Sequence, residues 1–228
     1  SNSERMYFYN NLTDENGNEY TLAKKFYAAI DKMNREGDFK DGVVEYKLDG
    51  IVTSDQLKGF VEGTDLSVPK AFGAARDAYL TDHPELFYID FYKMTISVGG
   101  SKGNYYGYID SGREANLYQD GGFTSETAVN EAIAEYNERV DEIAQAAEAE
   151  AERDLYGTEK DVVKARYVNR TLASEIQYDY GALNDYLENG TASAASVNTA
   201  YGGLVNKVAV CGGYSRAFKA VMDKLGIP

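Results

Sequence analysis

Residues 208–218 read Val208-Ala209-Val210-Cys211-Gly212-Gly213-Tyr214-Ser215-Arg216-Ala217-Phe218. An apolar run precedes the cysteine, and apolar side chains follow it at helical spacing. The pattern therefore predicts a helix that begins at or just after Cys211. One face of this helix carries Tyr214, Ala217, Phe218, Val221 and Leu225. We expect Gly226 to cap its C-terminus.

The start of a helix is a place where a cysteine becomes reactive. The first turn has unpaired backbone N–H groups and a partial positive charge, which favour a thiolate, and the thiolate is the nucleophile. Gly212 and Gly213 carry no side chains, so we expect a substrate carbonyl to approach the Cys211 sulfur closely, with backbone N–H groups free to bind its oxyanion. The alternative is a structural role, because a free cysteine is most often a small buried hydrophobe.

Two runs of residues resemble a known family. Residues 210–218, followed by Leu225-Gly226-Ile227-Pro228, resemble the nucleophile signature of the transglutaminase-like superfamily. That signature is a Cys-x-Gly-Tyr-[Ser/Ala] run on a helix that ends in Leu-Gly-Ile-Pro. Upstream, Tyr178-Asp179 and Ala200-Tyr201 are similar to the family's segment before its nucleophile. The resemblance covers about residues 160–228 and implies the helical first half of a papain-like core.

The resemblance implies cysteine-dependent acyl transfer. Cys211 would attack a carboxamide or ester carbonyl of a protein, peptide or cell-wall substrate, and water or an amine would resolve the thioester. In the family, the histidine that takes the thiol proton and the Asp or Asn that orients it follow the cysteine. No residue after Cys211 matches them, so we expect a core truncated after the nucleophile helix, with both residues supplied from outside this chain. Residues 82–88 resemble the segment that precedes this core in bacterial surface members.

Two other functions stay open. One is a non-catalytic module on the same fold that binds peptide or glycan at the cell surface, with Tyr-rich strands between residues 86 and 118 as its aromatic contacts. In that module Cys211 would be vestigial. The other is a purely structural domain with a buried thiol.

Further candidates for the site flank the cysteine. An oxyanion hole needs a second donor besides the Cys211 amide. Asn206 and Tyr201 precede the cysteine closely enough to supply it, with loop or core packing as the alternative for each, and Tyr214 is a third candidate near the site. Asp179 is expected to end a helix or to hydrogen-bond the loop before Cys211.

His83 is the only histidine of the chain, so it must be weighed as the catalytic base. It precedes Cys211, which reverses the family order. Pro84 restricts the backbone at His83 to extended conformations, which suits a turn. A role in a turn or in packing is therefore favoured over a catalytic one.

The rest of the sequence predicts an α+β fold in two regions. Region 1–123 is expected to combine helices with a small antiparallel sheet. Its predicted elements are helices at 22–33, ended by Gly37, and at 69–81, capped by Ser67, and strands at 43–48, 86–98, 105–109 and 115–118. Region 124–228 opens with a long helix that is capped by Ser125, runs to about residue 155 and bridges the regions. Its other predicted elements are a helix at 161–177 capped by Thr158, a loop at 181–196 and a short helix at 196–204.

Composition narrows the partners and the cofactors. A net charge of −14 repels phosphate backbones and makes nucleic acid a poor partner. No stretch approaches the roughly 18 apolar residues that span a bilayer. One cysteine excludes an internal disulfide and a cysteine-rich zinc site, and the sequence gives no sign of a metal or an organic cofactor. The 20 tyrosines without tryptophan favour a secreted or cell-surface bacterial protein, with the cytoplasm as the alternative.

A truncated core would leave the apolar face of the cysteine helix without its usual sheet. We expect this face to pack on the long helix of residues 126–154 or to be buried in a homodimer.

Overall fold

A computed structural model describes residues 6–36, 45–101, 103–110, 123, 125–189 and 195–228. The fold is α+β, as the sequence predicts, with a small antiparallel sheet and a separate parallel strand pair. It forms two compact units. The N-terminal unit holds the described residues of 6–83 and 89–117, and the C-terminal unit holds those of 84–88 and 118–228. Segment 84–88, which lies in the first sequence region, thus belongs to the second unit.

The N-terminal unit packs helices on an antiparallel sheet. Its helices are α1 (Tyr7–Asn10), α2 (Thr21–Glu36), α3 (Ser54–Glu62) and α4 (Ser67–Asp82). Its strands are β1 (Glu45–Lys47), β2 (Thr95–Ser101) and β3 (Asn104–Asp110), which lie in the order β1-β3-β2. Helices α2 and α4 pack together through buried side chains that include Phe26, Ile30 and Tyr79. Gly37, Val43, Val44 and the predicted strand at 115–118 lie outside the described residues.

The strand predicted at 86–98 is wrong over most of its length. Residues Pro84–Leu86 and Phe91–Lys93 form 3₁₀ turns, and β2 begins only at Thr95. The Asp90 side chain accepts a hydrogen bond from Tyr92 N and turns the chain there. Aromatic and branched residues are frequent in this segment because it is buried, so their presence did not indicate a strand.

Two predicted caps are also wrong. Leu66, not Ser67, is the N-cap of α4, and the Asp65 carboxylate instead accepts from Ser67 N at 2.8 Å. Thr158 does not cap the following helix, because that helix starts at Lys160 and its N-cap is Glu159. The Thr158 backbone N instead donates to Asp154 Oδ2 at 3.0 Å.

The C-terminal unit is built on four helices and one parallel strand pair. The helices are α5 (Glu126–Arg153), α6 (Lys160–Glu175), α7 (Tyr180–Asn189) and α8 (Cys211–Leu225), and the strands are β4 (Gln177–Tyr178) and β5 (Val208–Ala209). Ser125 caps α5 and Gly226 ends α8 with φ 70°, as predicted. A 3₁₀ turn (Ala195–Asn198) and a π-helix (Gly202–Asn206) replace the predicted short helix.

Helix α7 stands where the sequence predicted a loop. The Asp179 side chain caps it by accepting from Ala182 N at 2.9 Å. A good cap outweighs the glycine and asparagine content of residues 181–189, which had suggested a loop.

The cysteine helix is covered by its own unit. Helix α8 packs on α5 and α6, and it buries Ala217 and Val221 completely. The expected packing on the long helix is confirmed, whereas the homodimer stays a prediction. No helix among the described residues is both long enough and apolar enough to cross a membrane.

Candidate active site

Cys211 lies where the parallel strand pair ends. Asp179 N donates to Ala209 O at 3.0 Å and continues the ladder of β4 and β5 up to the cysteine. Cys211 is the first residue of α8, as the sequence predicts, and its side chain is exposed. The N-cap Val210 is extended (φ −94°, ψ −178°) and offers no side-chain hydrogen bond to the first turn. The thiol therefore stands at an uncapped helix start that is open to solvent.

The two glycines after the cysteine are packed against the chain itself. A Cβ on Gly213 would lie 2.2 Å from Val197 O and 2.9 Å from Ala209 Cβ. A Cβ on Gly212 would lie 2.0 Å from Asn198 Oδ1. The space at both Cβ positions is thus filled by the 3₁₀ turn and β5, and the idea that these positions keep a path open for substrate does not hold. Glycine is needed here because the turn lies so close to the helix.

The 3₁₀ turn is fixed on both sides. Val210 N donates to Val197 O at 2.9 Å, and the Arg216 guanidinium donates to Asn198 O. Thr199, which is only 7% exposed, donates to Ser196 O at 2.7 Å and accepts from Gly202 N at 3.1 Å, so it joins the turn to the π-helix. Sequence reasoning missed Asn198, since no local pattern marks a contact with residues more than ten positions away.

Tyr201 and Tyr214 make hydrogen bonds that lead away from the thiol. Tyr201 Oη donates to Glu135 Oε2 at 2.8 Å, and its ring stacks on Phe87 with 4.9 Å between centroids. Burial and the hydrogen bond to Glu135 raise the pKa of Tyr201 to about 12. Tyr214 Oη donates to Asn169 Oδ1 at 2.7 Å and ties α8 to α6. These contacts favour packing roles for both tyrosines.

Asn206 and Asp179 are the remaining candidates that precede the cysteine. Asn206 is exposed at the end of the π-helix. The Asp179 carboxylate caps α7, and only its backbone N bonds the segment before Cys211. The prediction that Asp179 ends a helix is wrong, because α6 ends at Glu175 and Asp179 caps the start of α7. The alternative, a hydrogen bond to the segment before Cys211, is confirmed for the backbone N of Asp179.

His83 lies in the N-terminal unit, where it is the C-cap of α4. Its ring centroid is 4.2 Å from that of Tyr79, and its Nε2 is 3.5 Å from Tyr27 Oη. This aromatic surrounding supports the packing role that the sequence favours for His83.

A groove of about 300 Å³ runs between α5 and the π-helix. It is lined by Glu135, Glu138, Arg139, Glu142, Leu204, Val205 and Lys207. The groove is lined by two cationic side chains, Arg139 and Lys207, and Glu175 contacts both. It pairs with Arg139 and lies 3.3 Å from Lys207 Nζ. Lys207 has φ 57°, the only positive φ outside glycine among the described residues.

The ion pairs of Glu175 predict a pH-dependent stability. Burial alone would raise the pKa of Glu175, but the hydrogen bonds and charges of Arg139 and Lys207 outweigh it and lower that pKa below its ordinary value of 4.5. The ionised group therefore stabilises the fold above pH 4.5, and this contribution is lost as the pH falls through the lowered pKa. Glu175→Gln should destabilise the C-terminal unit at pH 7, and its difference from the wild type should shrink below pH 4.5.

Urea unfolding at several pH values measures this difference. Glu142→Gln is the matched control, since Glu142 pairs with the same Arg139 but is mostly exposed, and exposed pairs contribute little. An effect of Glu175→Gln that stays constant from pH 7 to pH 3 would contradict the prediction.

The comparisons with known proteins assign the chain to no family. No model of a known protein family matches the chain, and a search of curated proteins found no significant similarity. No group of three or more His, Cys, Asp or Glu that could hold a metal ion occurs in the part of the chain that the structure describes.

Proposed function

We propose that Cys211 is the nucleophile of a cysteine-dependent acyl transfer. One observation carries the proposal: the only thiol of the chain is exposed at the first residue of a 15-residue helix whose start has no side-chain cap. The resemblance of residues 210–218 to the transglutaminase-like nucleophile segment supports the same chemistry. The substrate class is a protein, peptide or cell-wall carboxamide or ester.

The surroundings of the thiol suit a nucleophile. The partial positive charge of the helix start stabilises a thiolate. Helix α8 is anchored by Ala217 and Val221, which are fully buried and hold its backbone in the C-terminal unit. In the proposed reaction the thiolate attacks the substrate carbonyl carbon and the leaving group departs with its bonding electron pair. Water or an amine then cleaves the thioester and restores the thiol.

The proton acceptor is proposed to lie outside these 228 residues. His83 is the only histidine of the chain, and it is engaged with Tyr79 and Tyr27. In the family that the sequence resembles, a histidine and its Asp partner complete the site, and the same proposal has them supplied from outside this chain.

Alkylation of Cys211 by iodoacetamide tests the environment of the thiol. The urea-unfolded chain is the matched reference because it carries the same single thiol, and glutathione in the same urea corrects for solvent effects. A helix start contributes about 0.3–1 kcal/mol to a nearby anion, so we expect the folded protein to react roughly two- to fivefold faster at pH 7. A buried structural thiol would instead react more slowly when folded, and that result would contradict the proposal.

Acylation tests the reaction itself. p-Nitrophenyl acetate has a leaving group that needs no acid, so it should acetylate Cys211 even without a protein base. The adduct should be visible by intact mass, removable by hydroxylamine and absent in Cys211→Ser. A wild-type protein that forms no such adduct would overturn the acyl-transfer function.

A non-catalytic surface module is the second candidate, because tyrosines of the N-terminal unit are exposed. Tyr106 is 58% and Tyr92 42% exposed. Both rings also make contacts within the unit. The Tyr106 ring covers Gly99 across the hairpin, and the Arg76 guanidinium lies 4.6 Å from the Tyr92 ring centroid. Binding of a peptide or glycan that survives Cys211→Ser and is lost in Tyr106→Ala would favour this candidate. A location outside the cell belongs to both proposals and rests on the tyrosine-rich, tryptophan-free composition and on the sequence resemblance.

A further inference from the structure

Strand β2 lies at the edge of the antiparallel sheet. The described strands have the order β1-β3-β2, so β3 covers one side of β2 and no described strand covers the other. In the part of the chain that the structure describes, no group outside β3 hydrogen-bonds to Thr95–Ser101. The outer row of backbone N–H and C=O groups of β2 is therefore unpaired within these residues. Such a row is a template for the addition of a further strand.

The hydrogen bonds of β3 show which residues of β2 point outward. Gly107 O accepts from Leu48 N at 2.9 Å, so this carbonyl faces β1 and not β2. The residue of β2 opposite Gly107 is Val98. Hydrogen-bonded and non-hydrogen-bonded positions alternate along an antiparallel pair, so Val98 takes no part in the ladder with β3. The N–H and C=O of Val98, and those of Ile96 two residues earlier, point to the outer edge.

The side chains of β2 do not protect this edge. Thr95–Ser101 contains no charged residue and no proline, although soluble proteins commonly place lysine or proline at such edges. The chain as a whole has a net charge of −14, which opposes the approach of a second copy at its acidic surfaces. The outer edge of β2 lets two copies meet without like charges on directly opposite residues.

The side chains also fit a second copy of the same strand. Ile96 and Val98 are opposite Ile109 and Gly107, which are both buried, yet they are themselves only half-buried at the margin of the sheet. Consider two β2 strands that pair antiparallel around a two-fold axis at Val98. The two valines then lie side by side, and Ile96 lies beside Gly100 of the second copy, which has no side chain. The branched side chains therefore gain cover without a clash.

We propose that β2 is the interface of a symmetric homodimer, in which the β2 edges of two copies pair antiparallel around Val98 and join their sheets. The outward N–H and C=O of each Val98 would bond those of the other. This surface belongs to the N-terminal unit, and it differs from the apolar face of α8 for which the sequence predicted a homodimer. The inference does not depend on the function proposed for Cys211.

The dimer is expected to be weak. A single pair of strands buries less than the about 1,200–2,000 Å² of a stable interface. We therefore expect a dissociation constant on the order of 0.1 mM.

Sedimentation equilibrium between about 10 µM and about 1 mM tests the dimer. Val98→Pro removes the central outward N–H and leaves the ladder with β3 its donors, because proline is tolerated where an edge N–H faces outward. The wild type should change from monomer to dimer over this range, and Val98→Pro should weaken association at least about tenfold. Ser97→Ala is the matched control, since it keeps every backbone donor of β2 and should associate like the wild type.

Two results of this measurement would overturn the proposal. One is a wild type that stays monomeric over the whole range. The other is a folded Val98→Pro variant that associates as tightly as the wild type, because the dimer would then use another surface.

Disulfide crosslinking decides the question if Val98→Pro does not fold. In a Cys211→Ser background, Val98→Cys places two thiols at opposite positions of a hydrogen-bonded pair, with Cα atoms about 5.5 Å apart and within disulfide range. Copper phenanthroline serves as the oxidant. Val98→Cys should crosslink at least about tenfold faster than Val61→Cys, which replaces an exposed valine of α3 in the same unit. Equal rates would overturn pairing around Val98.

Discussion

Replacing Gly213 by alanine is expected to destabilise the C-terminal unit by roughly 2–3 kcal/mol, the upper part of the range for overpacking. Alanine is the better helix former by about 1 kcal/mol, so propensity alone predicts the opposite sign. The added methyl would lie 2.2 Å from Val197 O, a backbone oxygen that cannot swing away because Val210 N bonds it. Either the 3₁₀ turn or the start of α8 must move. Urea unfolding, monitored by hydrogen exchange of the α8 amides, measures the loss of stability.

Gly212→Ala is the control for this variant, one residue away on the same helix. Its methyl would meet the end of the Asn198 side chain, which can rotate, in place of a fixed backbone. Its change in stability should stay below about 1 kcal/mol, since the gain in helix propensity offsets the displacement. Equal effects of the two substitutions would show that the contact with Val197 O does not matter.

Asp82→Ala is expected to destabilise the N-terminal unit by about 3 kcal/mol or more. The Asp82 side chain is 3% exposed and accepts three hydrogen bonds, from Phe8 N at 3.0 Å, Tyr9 N at 2.9 Å and Tyr27 Oη at 3.0 Å. Its removal leaves the Phe8 and Tyr9 N–H groups without this acceptor and leaves Tyr27 Oη only its longer contact, 3.5 Å, with His83 Nε2. Each unsatisfied buried group costs about 1–3 kcal/mol. Because α1 is held by two of the three bonds, it should open first.

Hydrogen exchange resolved along the chain measures this effect, since the two units need not unfold together. Peptides from α1 and α2 should lose protection, and peptides from α5 serve as an internal reference. Tyr27→Phe removes only one of the three donors and keeps the ring, so it should cost about 1 kcal/mol. Unchanged protection of α1 in Asp82→Ala would contradict the prediction.

Local signals predicted those elements whose cause is local. The apolar stripe and the Ser125 cap predicted α5, and the apolar face and Gly226 predicted α8 with Cys211 at its start. The α7 helix was missed because residues 181–189 have a composition typical of loops, while its cap at Asp179 was assigned to the end of the preceding helix. The segment around Phe91 was mistaken for a strand because burial, like strand formation, selects aromatic residues.

The site was predictable only in part, because some of its contacts join segments that are far apart in sequence. Cys211 and its helix start follow from one short stretch of sequence. The contact between Asn198 and Gly212 joins two segments that come together only in the folded unit, so no local pattern could reveal it. Tyr201 and Asn206 were proposed as donors from proximity in sequence, yet Tyr201 is directed to Glu135 and Phe87.

Phe87 limits how the chain can be dissected. Its ring is 2% exposed and contacts the rings of Phe123, Tyr136 and Tyr201, all of which the ribosome adds later. A fragment cut at residue 124 would lose Phe87 and Phe123 together and carry a void among the remaining aromatic side chains. During synthesis, the Phe87 ring therefore lacks its stacking partner Tyr201 until more than a hundred further residues have been added.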